Sequence, residues 1–283
     1  MELSANEIQA AVAAALAEDL GSGDATTLAT VPAPSTARAV MRAREPLTLA
    51  GVAFVETAFQ QLASGLKVTR NAADGGVVKA GQDILRVEGL ARAILSAERV
   101  ALNFVQRLSG VATLTAQFVA AIQGTGAKIL DTRKTTPGWR RFEKYAVACG
   151  GGCNHRIGLY DMILIKDNHL AALRNEPPNA VAAAIARARR QFPQLKVEAE
   201  ADTLEQAAQA ADAGADMILL DNMTLAQLRQ AVQTIGGRAK TEASGGVNLD
   251  TVRAIAETGV DFISVGAITH SAPAVDIGLD FQG

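Results

Sequence analysis

The sequence predicts an α/β protein whose C-terminal part forms a parallel, barrel-like sheet, and three observations carry that expectation. Beyond Ala127, short apolar runs alternate with helical stretches, the pattern of repeated βα units. One unit is reused: Asp161-Met162-Ile163-Leu164-Ile165-Lys166-Asp167-Asn168 is echoed by Asp216-Met217-Ile218-Leu219-Leu220-Asp221-Asn222. Polar residues stand at the carboxyl end of every apolar run, where parallel α/β folds assemble their sites.

In chain order, a helix is predicted from Ala5 to about Leu20, apolar at Ile8, Val12 and Leu16, opened by a Ser4-x-x-Glu7 capping box and stopped by Gly21. A loop from Gly21 to Thr27, a strand near Ala37 to Ala43 and a helix from about Val52 to Leu62 follow. Short strands are expected at Lys67 to Arg70, Gly76 to Lys79 and Asp83 to Val87. The stretch Val78 to Leu85 looks like the turn of lipoyl or biotinyl carriers, but the lysine of a tight hairpin tip is absent, so it is read as structural. Ala91 to Gln123 reads as helical with a break at Ser109-Gly110; Arg99, Asn103 and Arg107 share one face, by default a solvated one. Strands are then predicted at Lys128 to Asp131, Met162 to Ile165, Lys196 to Glu200, Met217 to Leu220, Ala239 to Glu242 and Phe262 to Val265. A closed barrel has eight, so either this barrel is open or the pattern conceals strands.

Composition narrows the function. Apolar residues make up 49% of the 283 residues and charged residues 20%, which suits a globular chain and not a disordered one. The longest apolar run, Ala10 to Ala17, falls far short of the ~18 residues of a membrane span, and no signal peptide is visible, so a cytoplasmic location is expected. A net charge of −2 argues against general binding of nucleic acid or a membrane surface. Residues 128 to 169, however, hold eight Lys/Arg against four Asp/Glu, a local excess that points to a small anionic ligand.

The strand ends supply Asp131, Arg133 and Lys134; Lys166; Glu198 and Glu200; Asp221; Glu242 and Ser244; and Gly266. Ser244-Gly245-Gly246 and Gly266-Ala267 follow the last two strands, the usual phosphate site of such barrels, where glycine lets backbone N–H groups approach the ligand. Glu200 and Asp221 end neighbouring strands and suit Mg²⁺ or sugar hydroxyls, unless they are capping acids or surface ion-pair partners. Glu198 and Glu200 are two apart and point the same way, which is unusual for a barrel interior. Cys149-Gly150-Gly151-Gly152-Cys153 lacks a second ligand pair at zinc spacing; its glycines instead suggest close backbone approach, presenting His155 and Arg156 to a ligand.

Taken together, Glu98-Arg99-Val100-Ala101-Leu102-Asn103, Asp131-Thr132-Arg133-Lys134-Thr135-Thr136-Pro137-Gly138, Gly151-Gly152-Cys153-Asn154-His155-Arg156, Leu164-Ile165-Lys166-Asp167-Asn168-His169, Glu242-Ala243-Ser244-Gly245-Gly246 and Ser264-Val265-Gly266-Ala267 closely resemble the quinolinate phosphoribosyltransferase family. The likeness runs through nearly the whole chain, from Gly23-Asp24-Ala25-Thr26-Thr27 onward. It implies an N-terminal α/β sandwich with an interface helix over residues 1–108 and an open parallel α/β barrel over 109–283, with the C-terminal tail packing back on the first domain. It implies a homodimer or higher oligomer, with quinolinate and 5-phosphoribosyl-1-pyrophosphate as substrates. The products would be nicotinate mononucleotide, pyrophosphate and CO₂, as a step of NAD biosynthesis.

By this resemblance Arg133, His155, Arg156 and Lys166 surround quinolinate, with Arg99 reaching in from a partner subunit. Lys134, Glu200 and Asp221 serve ribose, pyrophosphate and Mg²⁺, with Lys134, Lys166, Glu200 and Asp221 as the catalytic set. Ser244, Gly245, Gly246, Gly266, His270 and Lys134 hold the 5-phosphate. No organic cofactor is expected, because the pyridinium nitrogen formed on transfer itself accepts the electrons released on decarboxylation. The chain departs mildly from the family: alanine flanks Glu200 where valine is favoured, and Arg174 to Asn179 looks like a loop insertion. Two rivals remain, a Schiff-base lyase using Lys166 or Lys134 and a non-catalytic phosphosugar binder.

Overall fold

The computed structural model describes residues 1–282. The chain begins with α1 (Ala5–Leu20), α2 (Ala25–Thr30), β1 (Thr36–Ala43), β2 (Leu47–Thr48), α3 (Val52–Leu62), β3 (Lys67–Arg70), β4 (Val77–Val78), β5 (Asp83–Leu90) and α4 (Ala91–Ala121). It continues with β6 (Lys128–Leu130), α5 (Arg140–Cys149), β7 (Ile163–Ile165), α6 (Asp167–Ala171), α7 (Ala180–Gln191), β8 (Val197–Ala201), α8 (Leu204–Asp212), β9 (Met217–Asp221) and α9 (Leu225–Ile235). The last elements are β10 (Lys240–Ser244), α10 (Val252–Ala256), β11 (Phe262–Ser264), α11 (Ala267–His270) and β12 (Ile277–Gln282). No described helix is long and apolar enough to cross a membrane.

These elements sort into two compact units. One takes Met1–Ala116, Arg141–Gly151 and the chain from Ser271 on; the other takes Gln117–Arg140 and Gly152–His270.

The first unit is built on an antiparallel sheet in the order β12-β1-β5-β3, so the C-terminal strand returns to pair with the first. Met41, Ile84, Leu85 and Val87 are buried in the sheet, as are Phe54, Val55 and Phe59 of α3. Phe54 stacks on Phe104 with ring centroids 4.8 Å apart and meets the edge of Phe142, a geometry that adds to simple burial. The expected capping box forms: Glu7 Oε2 accepts the Ser4 backbone N–H at 2.9 Å, and Arg141 also bonds the Glu7 carboxylate. The segment expected as a loop at Gly21 to Thr27 instead turns into α2 at Asp24, whose side chain accepts the Thr27 N–H at 2.9 Å.

The break expected at Ser109-Gly110 does not occur, and α4 runs unbroken. Gly110 is there for space, since a Cβ would lie 2.0 Å from the Pro273 carbonyl oxygen. Ser109 Oγ accepts the Ala50 N–H at 2.9 Å. Arg107, on the face read as solvated, is half-buried and bonds the Ala272 carbonyl and the buried Glu143 carboxylate, whereas Arg99 is exposed.

The second unit holds a parallel sheet of six strands in the order β6-β11-β10-β9-β8-β7. Among the described residues no ladder joins β7 to β6, so the barrel is open. Its β6 edge is extended by Cys153, which bridges in parallel to Leu130. The small side chains Ala207, Ala210, Ala211 and Ala231 are buried, allowing α8 and α9 to lie close to the sheet. Thr203 and Gln206 cap α8, and Thr224 and Gln227 repeat the device at α9. Asn179, at the end of the segment read as an insertion, caps α7.

Candidate active site

Alternation along each short strand sends one set of side chains into the barrel, and its carboxyl end makes them the lining of a cavity of about 430 Å³. Arg133 and Lys134 follow β6, Lys166 follows β7, Glu200 lies on β8, and Asp221, Ser244 and Ser264 end β9, β10 and β11. His155 and Arg156 enter from the loop after the Cys153 bridge.

The wall formed by Arg133, His155 and Arg156 is cationic. Arg156 Nη1 donates to the Met162 carbonyl at 3.1 Å. Burial and the neighbouring Arg133 charge both lower the proton affinity of the Arg156 guanidinium. Arg133 Nε is buried without a hydrogen-bond partner. A donor in that state costs free energy until a ligand meets it.

A second group lining the cavity is acidic. Glu200 and Asp221 come from adjacent strands, and burial followed by the Glu200 charge raises Asp221 above its ordinary range. Lys166 Nζ donates to Glu200 Oε2 at 2.7 Å. Asn222, with φ 53, turns its amide to Asp221 Oδ2 at 2.6 Å.

At a third side, glycines make room. A Cβ on Gly266 would lie 3.0 Å from Lys134 Cδ and 3.2 Å from His270 Nε2, so these three residues converge. The Lys134 backbone is fixed by Thr269 Oγ1, which donates to its carbonyl at 2.7 Å. Gly245, with φ 99, packs on the Asn222 side chain, and Gly246, with φ 60, faces open space.

Arg133, Lys134, His155, Arg156, Lys166, Glu200, Asp221 and Ser244 therefore meet around one cavity. Gly245, Gly246, Gly266 and His270 are not part of its immediate lining, though Gly266 and His270 pack against Lys134. Arg99, on α4, does not line it either. Both ring nitrogens of His155 are engaged within the chain, Nε2 with Glu198 at 2.9 Å and Nδ1 with the Arg156 N–H at 2.8 Å, and the hydrogen bond expected from this ring to a ligand meets that competition.

Three acids at the base of the site stand among the strand-end residues read from the sequence, but no ligand or catalytic part was assigned to them there. Asp131 is fully buried, its Oδ1 accepting the His155 N–H at 2.8 Å and its Oδ2 the Asn154 amide at 2.7 Å. Glu198 and Glu242 are buried beside His155. The signal for Glu198 was its two-residue spacing from Glu200.

Known proteins resemble this chain over both of its domains. The family description "Quinolinate phosphoribosyl transferase, N-terminal domain" matches residues 24–109, and its C-terminal counterpart matches 111–280. The nicotinate-nucleotide pyrophosphorylase [carboxylating] of Mycobacterium leprae is 45% identical over 94% of each chain. Quinolinate phosphoribosyltransferase [decarboxylating] 1 of Nicotiana glauca is 40% identical over 96% of this chain and 82% of its own. Among solved structures, the nicotinate-nucleotide pyrophosphorylase of Francisella tularensis superposes with a TM-score of 0.93 at 39% identity, covering 99% of this chain and 98% of that one. With both domains matched and relatives of this identity along almost the entire length, the chain belongs to the quinolinate phosphoribosyltransferase family.

Proposed function

We infer that this chain transfers the phosphoribosyl group of 5-phosphoribosyl-1-pyrophosphate to quinolinate with decarboxylation, forming nicotinate mononucleotide, pyrophosphate and CO₂ in NAD biosynthesis. The observation that carries the reading is the unmet cationic wall. Arg133 and Arg156 line the same cavity, the Arg133 charge lowers the proton affinity of Arg156, and Arg133 Nε is buried without a partner. A dianion with adjacent carboxylates relieves both the repulsion and the missing hydrogen bond, and the planar guanidinium suits carboxylate oxygens.

The other walls divide the remaining work. Lys134 and the glycine loops receive the 5-phosphate, with Ser244 and His270 beside it. Lys166, held by Glu200, reaches the same cavity and orients acceptor and donor. Glu200 and Asp221 fit Mg²⁺: Asp221 is already penalised by burial and by the Glu200 charge, and a divalent cation offsets that penalty. Bound there, Mg²⁺ would neutralise the pyrophosphate oxygens of the donor. The carboxylates also stabilise positive charge developing on the ribose carbon, so no covalent nucleophile is required. A Schiff-base role for Lys166 is disfavoured, because its amine is half-exposed in an ion pair rather than desolvated.

Arg99, exposed on α4, completes the acceptor wall of a second subunit in a homodimer. The free thiols of Cys149 and Cys153 suit the reducing cytoplasm. The test is product analysis with the donor, Mg²⁺ and either quinolinate or nicotinate. Release of CO₂ and pyrophosphate with nicotinate mononucleotide formed from quinolinate supports the reading; turnover of nicotinate in preference to quinolinate overturns it.

A further inference from the structure

At the base of the cavity, which His155 and Glu242 line, these two meet the buried Glu198 behind them, and the reaction uses only His155 directly. Glu198 on β8 and Glu242 on β10 are separated by β9, and both carboxyls are shut off from solvent. His155 Nε2 lies 2.9 Å from Glu198 Oε2 and 3.4 Å from Glu242 Oε2. On the far side of the ring, Nδ1 accepts the Arg156 backbone N–H at 2.8 Å. The next atoms of that residue lead to the guanidinium of the acceptor wall.

The protons in this cluster follow from the geometry. An imidazole whose Nδ1 accepts a hydrogen bond carries its proton on Nε2, and that N–H donates to Glu198. Burial opposes a charge on His155, whereas its contacts with Glu198 and Glu242 raise its affinity for a proton; the Arg156 N–H aimed at Nδ1 leaves Nε2 as the nitrogen that carries one. The three ligand atoms lie within 4.8 Å of one another, and the 2.9 Å Nε2 to Oε2 separation is that of a formed hydrogen bond.

We propose that Glu198 and Glu242 are positioning residues, a buried carboxyl pair that locks the His155 ring and, through its Nδ1, the backbone that presents Arg156 to a pyridine dicarboxylate. Glu198 Oε1 and Glu242 Oε2 are buried without a hydrogen-bond partner, a cost that apolar side chains at these interior positions would avoid. Strand β8 thus sends Glu200 to the cavity wall and Glu198, on the same face, to the buried layer behind it. Glu198 acts through His155 and Arg156 and does not touch the reacting atoms. The proposal rests on reading the cavity as a quinolinate site.

Its test is initial-rate kinetics on Glu198→Ala, Glu198→Gln and Glu242→Gln, with thermal melting as the check on folding. Glu198→Ala raises the KM for quinolinate about tenfold or more while the donor KM moves less than about twofold, because only the acceptor wall loses its register. Glu198→Gln recovers most of that loss, since its amide oxygen still accepts the Nε2–H. An acceptor KM unchanged in folded Glu198→Ala, or acceptor and donor constants rising together, overturns the proposal. A second measurement needs no variant: the chain has only three histidines, so ¹⁵N NMR of histidine-labelled protein resolves the His155 tautomer. An Nε2–H ring with a bare Nδ1 at neutral pH is the expected result, and a proton on Nδ1 overturns the lock. Wild-type turnover of quinolinate is measured alongside, so failure of the functional reading is seen separately from failure of the positioning role.

Discussion

Replacing Arg133 by lysine separates folding from recognition, because the wild-type side chain holds a buried donor with no partner in the chain. Arg133 Nε makes no hydrogen bond in the folded protein, so losing it removes none of the fold's own bonds. The change in stability should therefore stay within about 0.5 kcal/mol, the range of substitutions that break nothing. Binding is different. A planar fork becomes a point charge, and one carboxylate oxygen of the ligand is buried without its donor. Truncating one partner of a buried, hydrogen-bonded charge pair costs about 2 to 5 kcal/mol. Lysine retains the charge, so the lower end applies, about 2 kcal/mol or roughly a 30-fold weaker acceptor. Quinolinate affinity by calorimetry, quinolinate and donor KM by initial rates, and the melting temperature measure all three terms. Wild-type quinolinate affinity in folded Arg133→Lys, or an equal loss for the donor, would refute the assignment of this wall to the acceptor.

Three further predictions follow from the other walls. Gly266→Ala places a Cβ 3.0 Å from Lys134 Cδ, so the donor KM rises while that of quinolinate holds; a matching change at Gly246, where φ is 60, adds a backbone penalty of about 1 to 2 kcal/mol and confounds the reading. Equal shifts in both constants for Gly266→Ala would remove this loop from the phosphate. Asp221 has a raised folded pKa, so its contribution to stability is present below the unfolded pKa and is lost as pH rises through the folded one. Asp221→Asn should consequently melt slightly higher than wild type at pH 7 without Mg²⁺, by less than about 1 kcal/mol given its exposure, while losing turnover. A lower melting temperature in chelator contradicts that sign. Finally, Arg99→Ala and Lys134→Ala chains, each nearly inactive, regain activity when co-assembled; verified heterodimers without recovery would rule out an Arg99 contributed across subunits.

The barrel strands were legible because their signal is local: a short apolar run, a polar residue at its end and a helix behind it. The same holds for α1, where Ser4 and Glu7 meet within one turn. Non-local causes misled the pattern. Gly110 looks like a helix break in sequence, but it is needed for the Pro273 carbonyl, more than a hundred residues away along the chain. The pairing of β12 with β1 leaves no local mark either, since neither strand carries a sign of its partner; only the family resemblance implies that the C-terminal tail returns to the first domain.

The candidate site divides in the same way. The residue types of the cationic wall, the glycine loops and the Glu200–Asp221 pair stand at strand ends that the sequence by itself determines. That Glu198 shares a face with Glu200 is also local, because side chains alternate along a strand with a period of two. That it meets Glu242 and His155 was decided only by tertiary structure. Strand order places β9 between the two glutamates, and the register of Glu198 on Met217 and of Glu242 on Leu219 sets their depth. Distances across a barrel depend on how neighbouring strands are staggered, and no single strand encodes that stagger; the cluster exists because six strands share one curvature.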